Sequence, residues 1–193
     1  MEARFISLES ARKVLQPRMQ ALTDALSQCE KLWNNELAFT QRTLDESARA
    51  HVLNQYWYAY ARAIFAADNG VVVSKNQLQR YVVIDEQIII RFKFLDRNLC
   101  ASNYPTDRAI NWSLQMPLEG YPLLARLHYG YRMDITGTRV KDAFVTLPYG
   151  TINEWVWQTS GERIDTYAIQ IRLRQAGELE PKVFAYDNYH LGE

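Results

Sequence analysis

QIIIRFKFL, residues 87–95, alternates along its length: Ile88, Ile90, Phe92 and Phe94 fall on one side of an extended chain, Arg91 and Lys93 on the other. A side-chain period of two is that of a β-strand with one face toward a core, and the Ile and Phe content favours the same conformation. Working outward, RLHYGYRMD (126–134) and RVKDAFVTLP (139–148) flank ITGT (135–138) and read as a β-hairpin, with Gly137 supplying the turn. In the first arm Leu127, Tyr129, Tyr131 and Met133 point one way, and Arg126, His128, Arg132 and Asp134 the other. Residues 80–85, 152–158 (INEWVWQ) and 166–174 (TYAIQIRLR) read as further strands, and KVFAYDNYH (182–190) as a short edge strand. Between 95 and 113 lies a polar loop of about eighteen residues, long enough to be functional. Pro105 interrupts it and a helical turn from Thr106 to Trp112 closes it.

Before Gly70 the period is helical. Leu8, Leu15, Leu22 and Cys29 recur every seventh residue, and Met19, Leu26 and Trp33 fill the adjoining stripe, so residues 8–33 read as an amphipathic helix broken at Pro17. A second helix is expected from Thr43, with Thr43 and Glu46 as a capping box, to about Ala67. Asp68-Asn69-Gly70 stops it, with Gly70 free to take the left-handed conformation. Tyr56, Trp57, Tyr60, Ile64 and Phe65 cover more than one face of that helix, which predicts burial on both sides, or else an aromatic-lined pocket. The fold predicted is α+β: two N-terminal helices packed on a mostly antiparallel β-sheet. It forms a single domain over 1–193, helical to residue 69 and sheet from residue 70.

Composition narrows the function classes. Lys+Arg and Asp+Glu both total 22. Binding to nucleic acid therefore has to rest on a local patch rather than on net charge. The two cysteines, Cys29 and Cys100, make neither a disulfide framework nor a metal knuckle. His51, His128 and His190 are not at metal-ligand spacing, and no phosphate loop, nucleophile elbow or His-Glu-x-x-His occurs. No cofactor is implied. No run approaches the ~18 apolar residues of a membrane span, and no signal segment opens the chain, so a cytoplasmic protein is expected.

Strand alternation carries the functional reading. With the apolar faces turned to the helices, the opposite face collects Arg91, Lys93, Arg126, His128, Arg132, Arg172 and Arg174, with Arg139 or Lys141 joining them. Such a face suits phosphate backbone or an acidic protein. An ordinary solvated sheet face is the commoner reading of the same pattern, since antiparallel sheets normally leave one side wet. A metal-independent ribonuclease with His128, Arg91, Lys93 and Arg132 as base and phosphate clamp is the enzymatic form of the same idea.

RFKFLDRNLCASNYPTDRAINW (91–112), YGYRMDITGTRV (129–140) and the later Trp155 resemble a group of small bacterial proteins with a Ser-Asn-x-Pro-Thr segment followed by a Gly-Tyr hairpin. They are encoded beside helix-turn-helix regulators and ImmA/IrrE-type peptidase-like proteins on phages and mobile elements. The resemblance spans the middle third of the chain. It implies a toxin–antitoxin, lysogeny or anti-phage module and a protein partner, such as the helix-turn-helix or peptidase-like neighbour, with oligomerisation open. The expected function is a non-enzymatic interaction or regulatory component, with nucleic-acid binding the alternative. The expected contact surface is the loop from Asn98 to Trp112 with its strand neighbours: Arg91, Lys93, Arg97, Asn103, Thr106, Arg126, His128, Arg132, Arg172 and Arg174. Charge reversal at Arg91 and Lys93 is then expected to weaken binding while hardly touching stability.

Overall fold

The computed structural model describes residues 5–76, 79–101, 106–121, 123–162 and 164. Arg172, Arg174, Asn103 and the strands expected over 166–174 and 182–190 lie outside the described residues.

The helical stripe is realised as two helices, α1 (Leu8–Leu15) and α2 (Met19–Asn35), separated by a 3₁₀ turn over Gln16–Arg18. Pro17 causes that break, because it lacks an N–H and crowds the preceding turn. The apolar stripe nevertheless continues across it: Ala11, Leu15, Met19, Leu22, Leu26, Cys29 and Trp33 are all buried. Burial in this apolar setting pushes the Cys29 thiol up to about 12, so it stays a thiol and behaves as a small core side chain.

α3 runs over Glu46–Ile64. Its N-cap is Asp45, whose carboxylate accepts from the Ala48 N–H at 2.7 Å. The expected capping box on Thr43 does not form. An N-cap needs extended backbone, which Asp45 has (φ −70°, ψ 172°) and Thr43, in a helical turn (φ −102°, ψ −17°), has not. Nor is the helix buried all round: Leu53, Trp57, Tyr58 and Ala61 are buried, while Tyr56 and Ile64 are more than a third exposed. Gly70 does not take a left-handed conformation either. It is required for space, since a Cβ there would collide with the carboxylate of Asp85 and the guanidinium of Arg18. Arg18 bridges Asp68 (3.1 Å) and Asp85 (2.6 Å) over that gap, tying the 3₁₀ turn to both neighbouring loops.

The strands are β1 (Val71–Asn76), β2 (Gln79–Ile84), β3 (Ile88–Phe94), β4 (Ala125–Met133), β5 (Val140–Tyr149) and β6 (Ile152–Gly161), in one sheet in sequence order. β1 is an addition to the sequence reading. Every neighbouring pair is antiparallel except β3 and β4, which run parallel with Arg91 opposite His128. Ile88, Ile90, Phe92, Leu127, Tyr129, Tyr131, Val145 and Leu147 face the helices in the main core, as alternation predicts. The centre of that core is a set of rings. Trp57 of α3 lies parallel on Phe92 at 4.7 Å, and Phe92 lies near-parallel on Tyr131 at 4.8 Å.

Two features of the topology position the candidate site. First, β2 pairs with β3 only as far as Ile90, so that among the described residues the Arg91–Phe94 half of β3 has no strand on that side. Side chains from α3 stand in for it. The Tyr58 hydroxyl accepts from the Phe92 N–H (3.1 Å) and donates to the Arg80 carbonyl (2.7 Å), and Asn54 donates to the Phe92 carbonyl (2.9 Å). Second, parallel pairing needs a crossover connection. Here it carries α4 (Asp107–Ser113), capped by the Thr106 hydroxyl, which accepts from the Ala109 N–H. This connection passes over the face that alternation leaves polar.

Gln115, buried and left-handed at φ 57°, fastens the crossover. Its amide accepts from the Arg126 N–H and donates to the Arg126 and Pro148 carbonyls (2.9, 2.9 and 3.3 Å). Replacing Gln115 with alanine orphans these buried backbone groups, and chemical denaturation is expected to show a loss of about 2–3 kcal/mol.

Candidate anion-binding face

The outer sheet face has apolar patches at both ends. Tyr81, Ile89 and Trp112 pack together at one, Leu95, Leu99 and Phe144 at the other. Between them lie the cationic residues. Arg91, Arg126 and His128 are 6%, 2% and 2% exposed, so this part of the face is not the wet surface that alternation suggested. The charge-reversal expectation fails with it: a carboxylate at position 91 would stand buried against an indole, and stability would fall with binding.

α4 and the segment after it make the cover. The Arg91 guanidinium sits 3.8 Å from the centre of the Trp112 ring and donates to the Tyr121 hydroxyl at 3.0 Å. The His128 imidazole is parallel to the same indole within 5°, with centroids 6.1 Å apart, and the Arg126 guanidinium lies 5.9 Å from it. Thr146 of β5 is directly opposite His128 in the sheet register and fully buried. Both ring nitrogens of His128, Nε of Arg126 and the Thr146 hydroxyl are buried without a hydrogen-bond partner. Buried polar atoms are nearly always satisfied, so four orphans in one patch call for an explanation.

Electrostatics points the same way. Burial holds the His128 imidazole well below its ordinary range, and the charges of Lys93 and Arg91 add to that. Burial first and Arg91 second lower Lys93 to about 8 and Arg126 to about 10. Arg91 thus lowers each of the other three, as a cation crowded against further basic groups in a buried setting does.

The remaining residues of the expected surface divide up plainly. Arg132 is neutralised by Asp142, a buried carboxylate it grips with two hydrogen bonds, one of 2.7 Å. Asp142 occupies the outer-face position that Arg139 or Lys141 was expected to fill. Arg97 and Thr106 are exposed on the connection. Lys93, half-buried, lines a cleft of about 490 Å³ along the open edge of β3, together with Glu46, His51 and Asn54 of α3. The structure therefore brings Arg91, Lys93, Arg126 and His128 together, and sets Arg132 and Arg97 apart from them.

Sequence reasoning missed Thr146 and Tyr121 as members of the site, and took Trp112 only as the end of the contact loop. Alternation in DAFVTL places Thr146 on the outer face and was available as a signal; nothing local announces that Trp112 would lie on Arg91. Among the described residues no group of His, Cys, Asp or Glu is arranged to hold a metal ion, and no helix is long and apolar enough to cross a membrane.

No family model, curated protein or solved structure matches the chain.

Proposed function

We propose that the protein recognises a phosphate-bearing ligand, in the first place single-stranded nucleic acid, through the outer face of its sheet. The observation that carries this reading is the convergence of Arg91, Lys93, Arg126 and His128 on one patch, where Arg126, His128 and Thr146 keep buried polar atoms without partners. Aromatic rings interleave with the cations: Trp112, Tyr121 and Tyr81 form one packed group over the patch, the composition used where bases stack beside a charged groove. Lys93 and the exposed Arg97 supply the accessible rim, and the buried members the inner contacts. The chemistry is recognition, and no catalytic step is assigned to it.

The test is fluorescence anisotropy on labelled single-stranded DNA and RNA across a salt series. Affinity is expected to fall with salt, each phosphate contact contributing about 0.7 to the logarithmic slope. Lys93→Gln should reduce that slope by one contact's worth and leave the melting temperature within a few degrees. A salt-independent interaction, or an unchanged slope in the variant, would remove Lys93 from the interface.

A specific feature favours a second reading, in which the protein is the interaction component of a mobile-element module. Phe39 and Ile135 are 87% and 104% exposed. They belong to neighbouring loops, since the Trp33 indole, shortly before Phe39, donates to the carbonyl of Gly137. Pull-down from host cells with and without nuclease separates the two: a stoichiometric protein that survives nuclease supports the module, and nucleic acid lost on treatment supports the sheet face.

A further inference from the structure

We infer that the outer face reads a terminal phosphate, a monoester at the end of a strand, rather than the phosphodiester backbone. This deepens the nucleic-acid reading and rests on it.

Arg126, His128 and Thr146 are at most 2% exposed, and Trp112 lies against Arg126 and His128. A backbone phosphate carries a sugar on each side and would have to draw both under the cover. A terminal phosphate is substituted once and reaches inward on a single tether.

Charge and donor geometry agree. A monoester carries about −1.5 to −2 near neutrality and offers three strong acceptor oxygens. The orphaned atoms are suited to donate: the Nε–H of Arg126, the hydroxyl of Thr146 and the ring of His128. His128 and Thr146 are cross-strand partners, and Arg126 is two residues from His128 on the same face of β4, so the three line one spot. His128 faces Arg91 and Lys93 from β3, Thr146 from β5 and Trp112 from α4, so the charged groups around it are cationic. A dianion offsets that repulsion more fully than a singly charged diester does, and lets the imidazole take a second proton and donate from both nitrogens. Trp112 lies against Arg126 and His128 and is the side chain that must turn aside.

Thr146→Val isolates the idea. It deletes one orphaned hydroxyl at nearly constant volume, and without ligand the melting temperature should stay equal or rise. The experiment compares matched oligonucleotides, labelled at the far end, that bear a 5′-phosphate, a 3′-phosphate or hydroxyls only. Inorganic phosphate and a nucleoside monophosphate serve as competitors and as additives in thermal melts. At least one phosphate-ended oligonucleotide is expected to bind about tenfold more tightly than the hydroxyl-ended one, as one to three new charge-assisted hydrogen bonds would give. That preference, read as the ratio of phosphate-ended to hydroxyl-ended affinity, should vanish in Thr146→Val. Equal affinity for all three oligonucleotides overturns end-reading and leaves the nucleic-acid proposal standing. A melt stabilised by inorganic phosphate with no oligonucleotide bound does the reverse: it supports a phosphate pocket and removes nucleic acid as the ligand.

Discussion

Trp57→Ala is expected to destabilise the protein by about 4 kcal/mol, within the range for emptying a fully buried tryptophan site. Trp57 is the ring by which α3 holds the sheet. It stacks on Phe92 at 4.7 Å, meets Tyr58 edge-on at 4.9 Å and approaches Tyr129 at 5.9 Å. The indole nitrogen has no partner in this core, so the contribution is packing rather than hydrogen bonding. Trp57→Phe should therefore recover most of the loss, and urea unfolding of the two variants measures the difference. The consequence reaches the site, because Phe92 stands between Arg91 and Lys93 in the chain. Loosening its stack frees the strand that presents both cations.

The second large effect is in pH. Burial, with the charges of Lys93 and Arg91, depresses the pKa of His128 in the fold. Above the ordinary histidine value of about 6.5 the ring is neutral folded and unfolded, and contributes no pH dependence. Below it the unfolded chain takes up a proton that the folded protein refuses. Stability then falls toward acid, by up to about 1.4 kcal/mol per pH unit, until the folded pKa is reached. Denaturant midpoints between pH 7 and 4.5 should show this fall, and His128→Gln should flatten it. An equal slope in the variant would assign the acid sensitivity to other groups.

Much of the fold was legible because the residues that decide it report on local periodicity. RLHYGYRMD alternates without a break, and QIIIRFKFL does so apart from Ile89 and Leu95, which the structure buries in the two apolar patches of the outer face. The stripe from Ala11 to Trp33 survives the proline because helix and 3₁₀ turn keep nearly the same phase. What escaped reading depends on distant partners. Nothing in the local pattern of β3 or β4 states that they pair in parallel, yet that pairing forces a crossover, and the crossover changes a wet face into a buried one. Tyr58 reads as one more core aromatic, while in the structure its hydroxyl replaces a missing strand for Phe92. Arg91, Lys93, Arg126 and His128 were individually visible in the alternation. That Arg91, Arg126 and His128 are buried against Trp112, with His128 and Thr146 opposite one another and unpartnered, follows only from register and cover together.

The most direct test of the phosphate-binding account is heteronuclear NMR of the His128 imidazole, titrated with pH alone and with a saturating phosphate-ended single-stranded oligonucleotide. The account predicts a ring that stays neutral well below its ordinary pKa in the free protein, and that shifts and gains a proton near neutrality when the oligonucleotide is added. A His128 ring whose signals stay in place while the oligonucleotide binds, or an oligonucleotide that does not bind, would contradict it.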